Sequence, residues 1–500
     1  MSEIFSMVSE LSSGYFAAQV ITVICFFITG LAVVRADRLK GIWAYLYAFP
    51  VGLAVFSVAG YLLLCLGIPF NGVSVTVLMA AVFVSCLIVC WKRNLVDIRK
   101  ELPLFTGSLL VVIVSASVFT ANIFDVLTDN DTFYYFSTFP EAIVREGRYI
   151  RYFDTFLTDS APIGSIVYTL PYLFGFSETF GIQYVLDLNF LLIFAYALHR
   201  NQSRIYGNKG AACISVITTV FLATSSAYLT TAKWVMAGVY FMSYFFFTVV
   251  MGYEVCRETE QKPYAALMLM SVMTAMLRHE GIVFVLILVM LLSVKGNYSL
   301  GELLLTYIVP VFICAGLYYI RVFAILRVAP LYAFLTPKKA ILLLSAVVCT
   351  GLLVCLLHIF ADKRIVRFAA GHMYGILPVA LMMLNMLLAV RTDEYLVNLR
   401  AFYGNLRIRA GWGYFGYIAG LLVVLLAFRA IVRREFSLSF YDSLMISYVL
   451  TVIIAAFGRG FALRVGVGDS GNRVLLTAVP LIVFGIAMRL MAYRGGVDEG

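Results

Sequence analysis

Charge is scarce in this sequence. Lys, Arg, Asp and Glu together make up 13% of the 500 residues, whereas they make up about 25% of an average soluble protein. Hydrophobic side chains account for 62%, so a two-domain soluble enzyme, a secreted disulfide scaffold and a disordered protein are all excluded. With about 20 apolar residues per span and about 10 per connection, the chain has room for roughly 13–15 transmembrane helices. The composition predicts an all-α polytopic membrane protein.

The sequence also lacks the cysteine pairs that metal sites and disulfide frameworks need. Its nine cysteines include no Cys-x-x-Cys pair, almost all lie in apolar stretches, and only Cys355 has a histidine, His358, at helical spacing. They are typical of small residues that are compatible with lipid. The N-terminal segment lacks a basic region and carries Glu3 and Glu10 instead. We therefore expect no cleavable signal and a first helix that stays as a span.

The net charge of +10 comes mostly from Lys and Arg in short segments beside the apolar runs. Such loops face the cytoplasm, so the charge indicates topology and not a nucleic-acid partner. The rule predicts an N-terminus outside, a C-terminus inside and an outer position for the acidic segment Asp125–Ser160. The basic loops that decide this are Arg35–Lys40, Lys92–Lys100, His199–Lys209 and Ala361–Arg367.

Apolar runs along the chain predict the individual spans. The short run Ala161–Phe176 is interrupted by two prolines and predicts a juxtamembrane helix instead of a full crossing. Two later spans are short, and the charged turn Arg278-His279-Glu280 between them is predicted at the outer surface, because charge is costly at membrane depth. The predicted spans are Tyr15–Val34, Trp43–Leu66, Val73–Trp91, Leu102–Phe124, Gly181–Leu198, Ala211–Thr231, Trp234–Tyr253, Tyr264–Leu277, Gly281–Val294, Leu303–Ile320, Ala340–Phe360, Met373–Val390, Tyr414–Phe428, Leu444–Phe457 and Val474–Leu490.

The most informative motif is Asp129-Asn130-Asp131, two carboxylates one residue apart at the start of an aromatic segment. The carboxylates are open to three interpretations: caps of a surface helix, ligands of a divalent cation, or a general base. Gly147 is predicted to end the helix that follows this motif, because glycine is the usual residue just past a helix C-terminus. Three aromatic residues in this segment predict one helix face that lies on the bilayer surface: Phe133, Phe136 and Phe139.

This segment resembles the first outer loop of the GT-C class of integral-membrane glycosyltransferases. In that class an acidic residue just past a span is followed by a Tyr-rich helix, which here runs from Tyr134-Tyr135 to Glu146-Gly147-Arg148-Tyr149. Three further motifs are similar to parts of the same class, namely its juxtamembrane helix, the outer turn near its donor site and the loop before a late span: Ala161-Pro162-Ile163-Gly164-Ser165, Leu277-Arg278-His279-Glu280-Gly281 and Gly468-Asp469-Ser470-Gly471-Asn472-Arg473. The resemblance implies a GT-C-like catalytic region at residues 102–500, with its outer loop at 125–160, after extra N-terminal transmembrane helices at 1–101.

The resemblance implies an inverting hexosyl- or pentosyltransferase. Such an enzyme moves a sugar from a polyprenyl-phosphate carrier to an acceptor glycan, lipid or protein at the outer face of the cell membrane. Asp131 is the implied catalytic base and Asp129 the second choice. The implied carrier-phosphate contacts are Arg278 and Arg473, followed by His279 and Arg464, and the implied substrate contacts are Tyr134, Tyr135, Asp159 and Glu280.

Other interpretations stay open. Each of the arginines is equally typical of headgroup binding or of snorkelling at the bilayer edge. The sequence requires no cofactor, but Asp129 and Asp131 have a spacing that permits Mg²⁺ or Mn²⁺. A transporter or lipid flippase would need ionisable groups near mid-membrane, of which Asp187 is the main example. A polysaccharide polymerase or ligase of another fold would also use outer-loop arginines and a lipid-linked substrate.

Overall fold

The computed structural model describes residues 13–93, 95, 98–119, 134–159, 162–176, 181–233, 237–259, 262–294, 298–328, 335–391, 393–418, 420, 438–458 and 463–495. Within these ranges the regular structure is helical and contains no strand, which confirms the predicted all-α class. The α-helices are α1 Ser13–Ala36, α2 Gly41–Leu66, α3 Gly72–Lys92, α4 Ile98–Phe119, α5 Phe139–Glu146, α6 Asp154–Asp159, α7 Pro162–Val167, α8 Leu170–Leu173, α9 Ile182–Thr224, α10 Ser226–Lys233, α11 Ala237–Val249, α12 Cys256–Thr259, α13 Tyr264–Leu277, α14 Gly281–Ser293, α15 Leu300–Leu303, α16 Val309–Tyr319, α17 Pro337–Ile359, α18 Arg364–Gly371, α19 Met373–Arg391, α20 Asp393–Arg407, α21 Phe440–Gly458, α22 Ser470–Leu476 and α23 Val479–Gly495. Shorter π-helical segments are Tyr134–Thr138, Val250–Val255, Leu304–Ile308 and Ile320–Ile325, and Arg151–Phe153 is a 3₁₀ turn.

Many of these helices are long and apolar enough to cross a membrane. In the described part of the chain nine segments meet that requirement, and four more apolar helices are shorter. The chain is therefore a multi-pass membrane protein. Most of the predicted span Tyr414–Phe428 lies outside the described residues, so the full number of crossings stays a prediction. The nine segments are Gly14–Ala36, Gly41–Leu66, Gly72–Lys92, Ile182–Thr224, Ala237–Val255, Leu300–Ile325, Pro337–Ile359, Met373–Val390 and Ser470–Met488.

Two predicted features between residues 161 and 231 have different outcomes. Residues 162–173 form only the short helices α7 and α8, so the prediction that this run is not a full crossing is confirmed. The two spans predicted at 181–198 and 211–231 correspond to the two helical parts of α9, which a non-helical kink at Gly207 (φ 68°, ψ 168°) separates; that each part crosses the membrane by itself stays a prediction. The basic residues before Gly207 are good helix formers, so the helix continues through them and breaks where glycine adopts a positive φ without steric cost.

α1 and α2 are held together through glycine. A methyl group on Gly30 would lie 1.8 Å from the carbonyl oxygen of Ala48, and one on Gly52 would lie 1.8 Å from that of Phe26. Small residues at a helix crossing let the two backbones approach closely, which is how transmembrane helices gain packing energy in lipid. These glycines therefore set the spacing of the first helix pair.

The chain divides into two compact units that are interleaved in sequence. The first unit comprises Met1–Ile193, Trp234–Val285 and Gly301–Cys349, and the second comprises Phe194–Lys233, Leu286–Leu300 and Thr350–Gly500. α9, α14 and α17 each run from one unit into the other. The core of the first unit includes α2 and the apolar segment that begins with α11, in which 89% and 94% of the residues are buried. The Tyr244 hydroxyl of α11 donates to the Pro50 carbonyl of α2 at 2.7 Å.

Candidate functional site

The described part of the predicted outer loop begins with a π-helical segment at Tyr134–Thr138 and continues directly into α5. Pro140 lies in the first turn of α5, where its missing N–H costs nothing. The helix ends at Gly147, whose φ of 65° is left-handed and whose N–H donates to the Ile143 carbonyl at 2.9 Å. The prediction that Gly147 ends this helix is confirmed.

The aromatic face of this segment packs inside the protein and not on the bilayer. Phe136 is 7% exposed and Phe139 is 1% exposed. Phe139 stacks on Phe156 with ring centroids 4.9 Å apart, and Phe136 meets Tyr168 edge to face at 5.3 Å. The prediction of a surface-lying face is therefore wrong for these two residues. An apolar stripe has the same sequence pattern whether its partner is lipid or protein, and here protein aromatics cover it.

Three hydrogen bonds connect this loop to one helix and two loops of the first unit. The Phe70 N–H donates to the Gly147 carbonyl at 2.7 Å. The Tyr318 hydroxyl donates to the Leu157 carbonyl at 2.6 Å, and the Leu335 N–H donates to the Thr158 carbonyl at 2.9 Å. Because these partners lie far apart in sequence, the loop is held as part of the folded core.

Several predicted site residues fall outside this description. Asp129 and Asp131 lie in the part of the chain that the structure does not describe. For Tyr134, Tyr135 and Asp159 only the backbone is described, within the π-helical segment and at the end of α6. Their predicted roles stay predictions. No group of three or more possible metal ligands occurs among the described residues, and that search did not cover the Asp129–Asp131 pair.

The charged turn between α13 and α14 is enclosed by protein. Arg278 has an extended backbone that ends α13, and its carbonyl accepts from the Gly281 N–H at 2.9 Å. The Arg278 guanidinium lies 3.5 Å from a Glu280 carboxylate oxygen, at side-chain exposures of 21% and 11%. His279 is buried. The Nε atom of Arg278 is buried and has no hydrogen-bond partner within the described structure, so this guanidinium keeps an unused donor.

Gly281 makes this sharp turn possible. A methyl group at this position would lie 2.0 Å from the Thr274 carbonyl oxygen. The first turn of α14 is therefore pressed against the last turn of α13. This close approach positions Arg278 and Glu280 between the two helix ends.

The turn lies within the helix bundle and not at its end. α13 begins level with the start of α2, because the Asp37 carboxylate before α2 accepts from the Ala266 N–H at 2.8 Å. α13 has 14 residues against 26 in α2, so at 1.5 Å per residue it stops about 18 Å short of the end of α2. The position of this turn relative to the outer membrane surface stays a prediction. Fourteen residues span about 21 Å, which is less than the roughly 30 Å of a hydrocarbon core.

α7 links the turn to the aromatic loop. A methyl group on Gly164 of α7 would lie 3.6 Å from the Phe136 ring and 3.7 Å from the Leu277 carbonyl oxygen, and Arg278 follows Leu277 directly. The next residue but one, Ile166, packs against Gly60, where a methyl group would lie 3.0 Å from it. Gly60 is about 9 Å before the end of α2, so α7 lies beside the second half of this helix. The structure thus brings the Arg278 turn next to the loop that follows Asp129 and Asp131.

Sequence reasoning missed Arg321. Its guanidinium lies against Gly67, where a methyl group would be 2.9 Å from Nη1, and its buried Nε has no hydrogen-bond partner among the described residues. Gly67 follows the last residue of α2 and has a left-handed φ of 74°. Arg321 therefore lies at the C-terminal end of α2. Only its position at the end of an apolar run, two residues after Tyr319, signals it in the sequence.

Tyr149, which packs against Tyr318, supplies a second buried donor. Its ring meets that of Tyr318 edge to face at 6.1 Å, and its hydroxyl has no hydrogen-bond partner within the described structure. Burial raises the pKa of the Tyr149 phenol well above its ordinary value. The hydroxyl therefore stays neutral and keeps its proton for donation.

Arg464 and Arg473 lie in the second unit, in and just after a loop that asparagines hold in place. The Asn472 side chain donates to the carbonyls of Ala410 and Gly466 at 2.8 and 3.0 Å and accepts from the Trp412 indole at 2.8 Å. Arg464 is exposed and Arg473 is half-buried. The structure assigns Arg278, His279 and Glu280 to the first unit, so the predicted donor-site residues are divided between the two units.

No family model, no curated protein and no solved structure matches this chain. The resemblance to the GT-C class therefore depends on the short motifs quoted above, and it stays a prediction.

Proposed function

We propose that this protein is an integral-membrane glycosyltransferase that takes a sugar from a polyprenyl-phosphate carrier. The observation that supports it best is the enclosed Arg278–Glu280 turn, which lies one short helix away from the loop that follows Asp129 and Asp131. Charged side chains within a helix bundle at membrane depth are costly and mark functional sites by default. A carrier phosphate that enters from the lipid would meet this turn.

The Arg278 guanidinium suits an anionic group. Its contact with Glu280 is long at 3.5 Å, whereas charge-assisted pairs of this kind are usually about 2.7–2.9 Å. A phosphate oxygen would satisfy the buried Nε and shorten the contacts to the guanidinium fork. In a low-dielectric surrounding such contacts are stronger than in water, so they would stabilise the charge that develops on the departing phosphate.

The proposed reaction inverts the anomeric centre. The acceptor hydroxyl oxygen attacks the anomeric carbon, and the bond from that carbon to the phosphate oxygen breaks. The proton of the acceptor hydroxyl passes to Asp131, and polyprenyl phosphate leaves with the electron pair of the broken bond. A general base contributes about 10²–10⁴-fold in rate, which sets the expected cost of removing it.

A transporter or lipid flippase is the second candidate, and a specific observation favours it. α13 and α14 are two short buried helices joined by a charged turn, which is the broken-helix arrangement of many transporter sites. Asp187 is half-buried within the spanning helix α9. The two functions differ in one product, because only a transferase releases polyprenyl phosphate.

The test uses the full-length protein reconstituted in vesicles with a panel of polyprenyl-phosphate sugars and candidate acceptors. We expect release of polyprenyl phosphate coupled to glycosylation of an acceptor. Asp131→Asn should reduce this rate by about 10²–10⁴-fold, with a smaller loss for Asp129→Asn. Glu141→Gln is the matched control, because it removes an exposed carboxylate from α5 in the same loop.

Two outcomes would contradict the proposal. Full activity of the Asp131 variant would remove the assignment of the catalytic base. Movement of labelled lipid between leaflets without any release of polyprenyl phosphate would replace the transferase with the flippase.

A further inference from the structure

The short helix α18, Arg364–Gly371, has two chemically different sides. Arg364 and Arg367 are exposed and three residues apart, which puts them on one side of the helix. Ile365 and Phe368 have the same spacing, are 82% and 62% exposed, and are continued by Ala369 on the apolar side. None of the side chains of α18 is buried. A helix with one basic and one apolar side typically lies in the plane of a membrane surface.

The helices on either side of α18 face lipid. Only 22% of the residues in the apolar segment of α17 and 17% of those in the apolar segment of α19 are buried inside the protein. Ile359, the last residue of α17, is 65% exposed. Exposed apolar side chains on the spans of a multi-pass protein contact lipid tails. α18 therefore lies where the chain leaves one lipid-facing span and enters the next.

The junction with α19 fixes the direction of α18. The His372 N–H donates to the Phe368 carbonyl at 3.1 Å, and the His372 Nδ1 lies 2.9 Å from the same oxygen. The His372 ring stacks on the Phe368 ring with centroids 4.2 Å apart. α19 starts at the next residue, Met373, so the bend between the two helices is held by these contacts.

The basic side chains of this segment are available to a ligand. Lys363, Arg364 and Arg367 are exposed, and Asp362 is the one acid among residues 361–372. Arg367 contacts the main-chain carbonyl of Asp362, at 3.4 Å, and not its carboxylate. Neither Arg364 nor Arg367 forms an ion pair within the described structure. The segment thus offers a net positive surface beside lipid-facing spans.

We propose that α18 is a binding site for anionic phospholipids, in which Lys363, Arg364 and Arg367 contact lipid phosphates while Ile365 and Phe368 insert between acyl chains. The loop that contains α18 is predicted to face the cytoplasm, and cytoplasmic leaflets carry the anionic lipids that attract such basic segments. Each basic residue near an anionic surface contributes about fivefold in lipid affinity. Two substitutions should therefore lower the affinity about 25-fold.

The test uses the purified full-length protein in detergent, to which phosphatidylglycerol or phosphatidylcholine is added. Native mass spectrometry then measures how much of each lipid stays bound. Wild type should prefer phosphatidylglycerol, and Arg364→Gln/Arg367→Gln should lose most of that preference. Arg364→Lys/Arg367→Lys, which keeps the charge, should retain it. Lys92→Gln/Arg93→Gln is the matched control, because it removes two exposed basic residues from another loop predicted on the same side.

The control decides between a specific site and general charge. An unchanged preference in the α18 glutamine variant would overturn the proposal, and so would an equal loss in the Lys92/Arg93 variant. A change in oligomeric state of the α18 variant without a change in lipid retention would also overturn it, because a second copy of the chain would then cover this surface. The three variants should elute as the same folded species as wild type, since the substituted residues are exposed.

Discussion

Gly281→Ala is the sharpest test of the turn between α13 and α14. The added methyl group would lie 2.0 Å from the Thr274 carbonyl oxygen and 3.1 Å from that of Ala275. A carbon and a carbonyl oxygen normally come no closer than about 3.3 Å, so the two backbones must separate by about 1.3 Å. The neighbouring atoms are backbone, which cannot rotate away as a side chain does.

The size of the effect follows from this displacement. Overpacking in a well-packed core costs about 1–3 kcal/mol, which lowers the thermal midpoint by several degrees at about 2–4 °C per kcal/mol for larger domains. A misplacement of about 1 Å at a reacting centre can cost about 10²-fold in rate. We therefore expect a less stable protein whose transfer activity falls more than its stability alone explains.

Gly316→Ala is the matched control for this measurement. Gly316 lies inside α16 in the same unit, and a methyl group there would meet nothing within 4 Å. Alanine in a helix interior is about 0.5–1 kcal/mol better than glycine, so this variant should be equally stable or more so. Thermal unfolding in detergent, followed by transfer activity at a temperature at which both proteins are folded, compares the two. A Gly281 variant as stable and active as the Gly316 variant would refute the close approach of α13 and α14.

The remaining predictions concern the donor, the topology and pH. Replacing Arg278 or Arg473 by Ala should weaken donor binding, and Lys should restore it only in part because it lacks the planar fork; unchanged donor affinity in both Ala variants would contradict the phosphate site. Tyr152 is 90% exposed, so a Tyr152→Cys variant in a cysteine-depleted background should react with an impermeant maleimide in intact cells, and labelling only after permeabilisation would reverse the predicted orientation. Burial raises the pKa of the Asp37 carboxyl to about 6, against the lowering effect of its backbone hydrogen bonds. Because the folded-state pKa is above the unfolded value of 3.8, its stabilising contribution is present below pH 4 and is lost as the pH rises through 6, by about 3 kcal/mol. An Asp37→Asn variant should lack this part of the pH dependence, and parallel unfolding curves for the two proteins from pH 4 to 7 would contradict the assignment.

The helical membrane class followed from the sequence alone. A lipid interior imposes two strong and local requirements, apolar side chains over about 20 residues and backbone hydrogen bonds within the segment. Both can be recognised without knowing any partner. Local backbone signals were equally reliable, since Gly147 ends α5 and the two prolines of residues 161–176 lie at the starts of the short helices α7 and α8.

Only the tertiary structure decided what each apolar surface touches and how deep each turn lies. Phe136 and Phe139 have a pattern that suits lipid and protein equally, and the packing against Tyr168 and Phe156 made it protein. The position of Arg278 along α2 depends on where α13 begins, which the long-range contact from Asp37 to Ala266 sets. Arg321 gains significance only because it lies against Gly67, far away in sequence. Burial, depth and long-range pairing are properties of the assembled bundle, because in a membrane interior lipid and protein present the same apolar environment to a side chain.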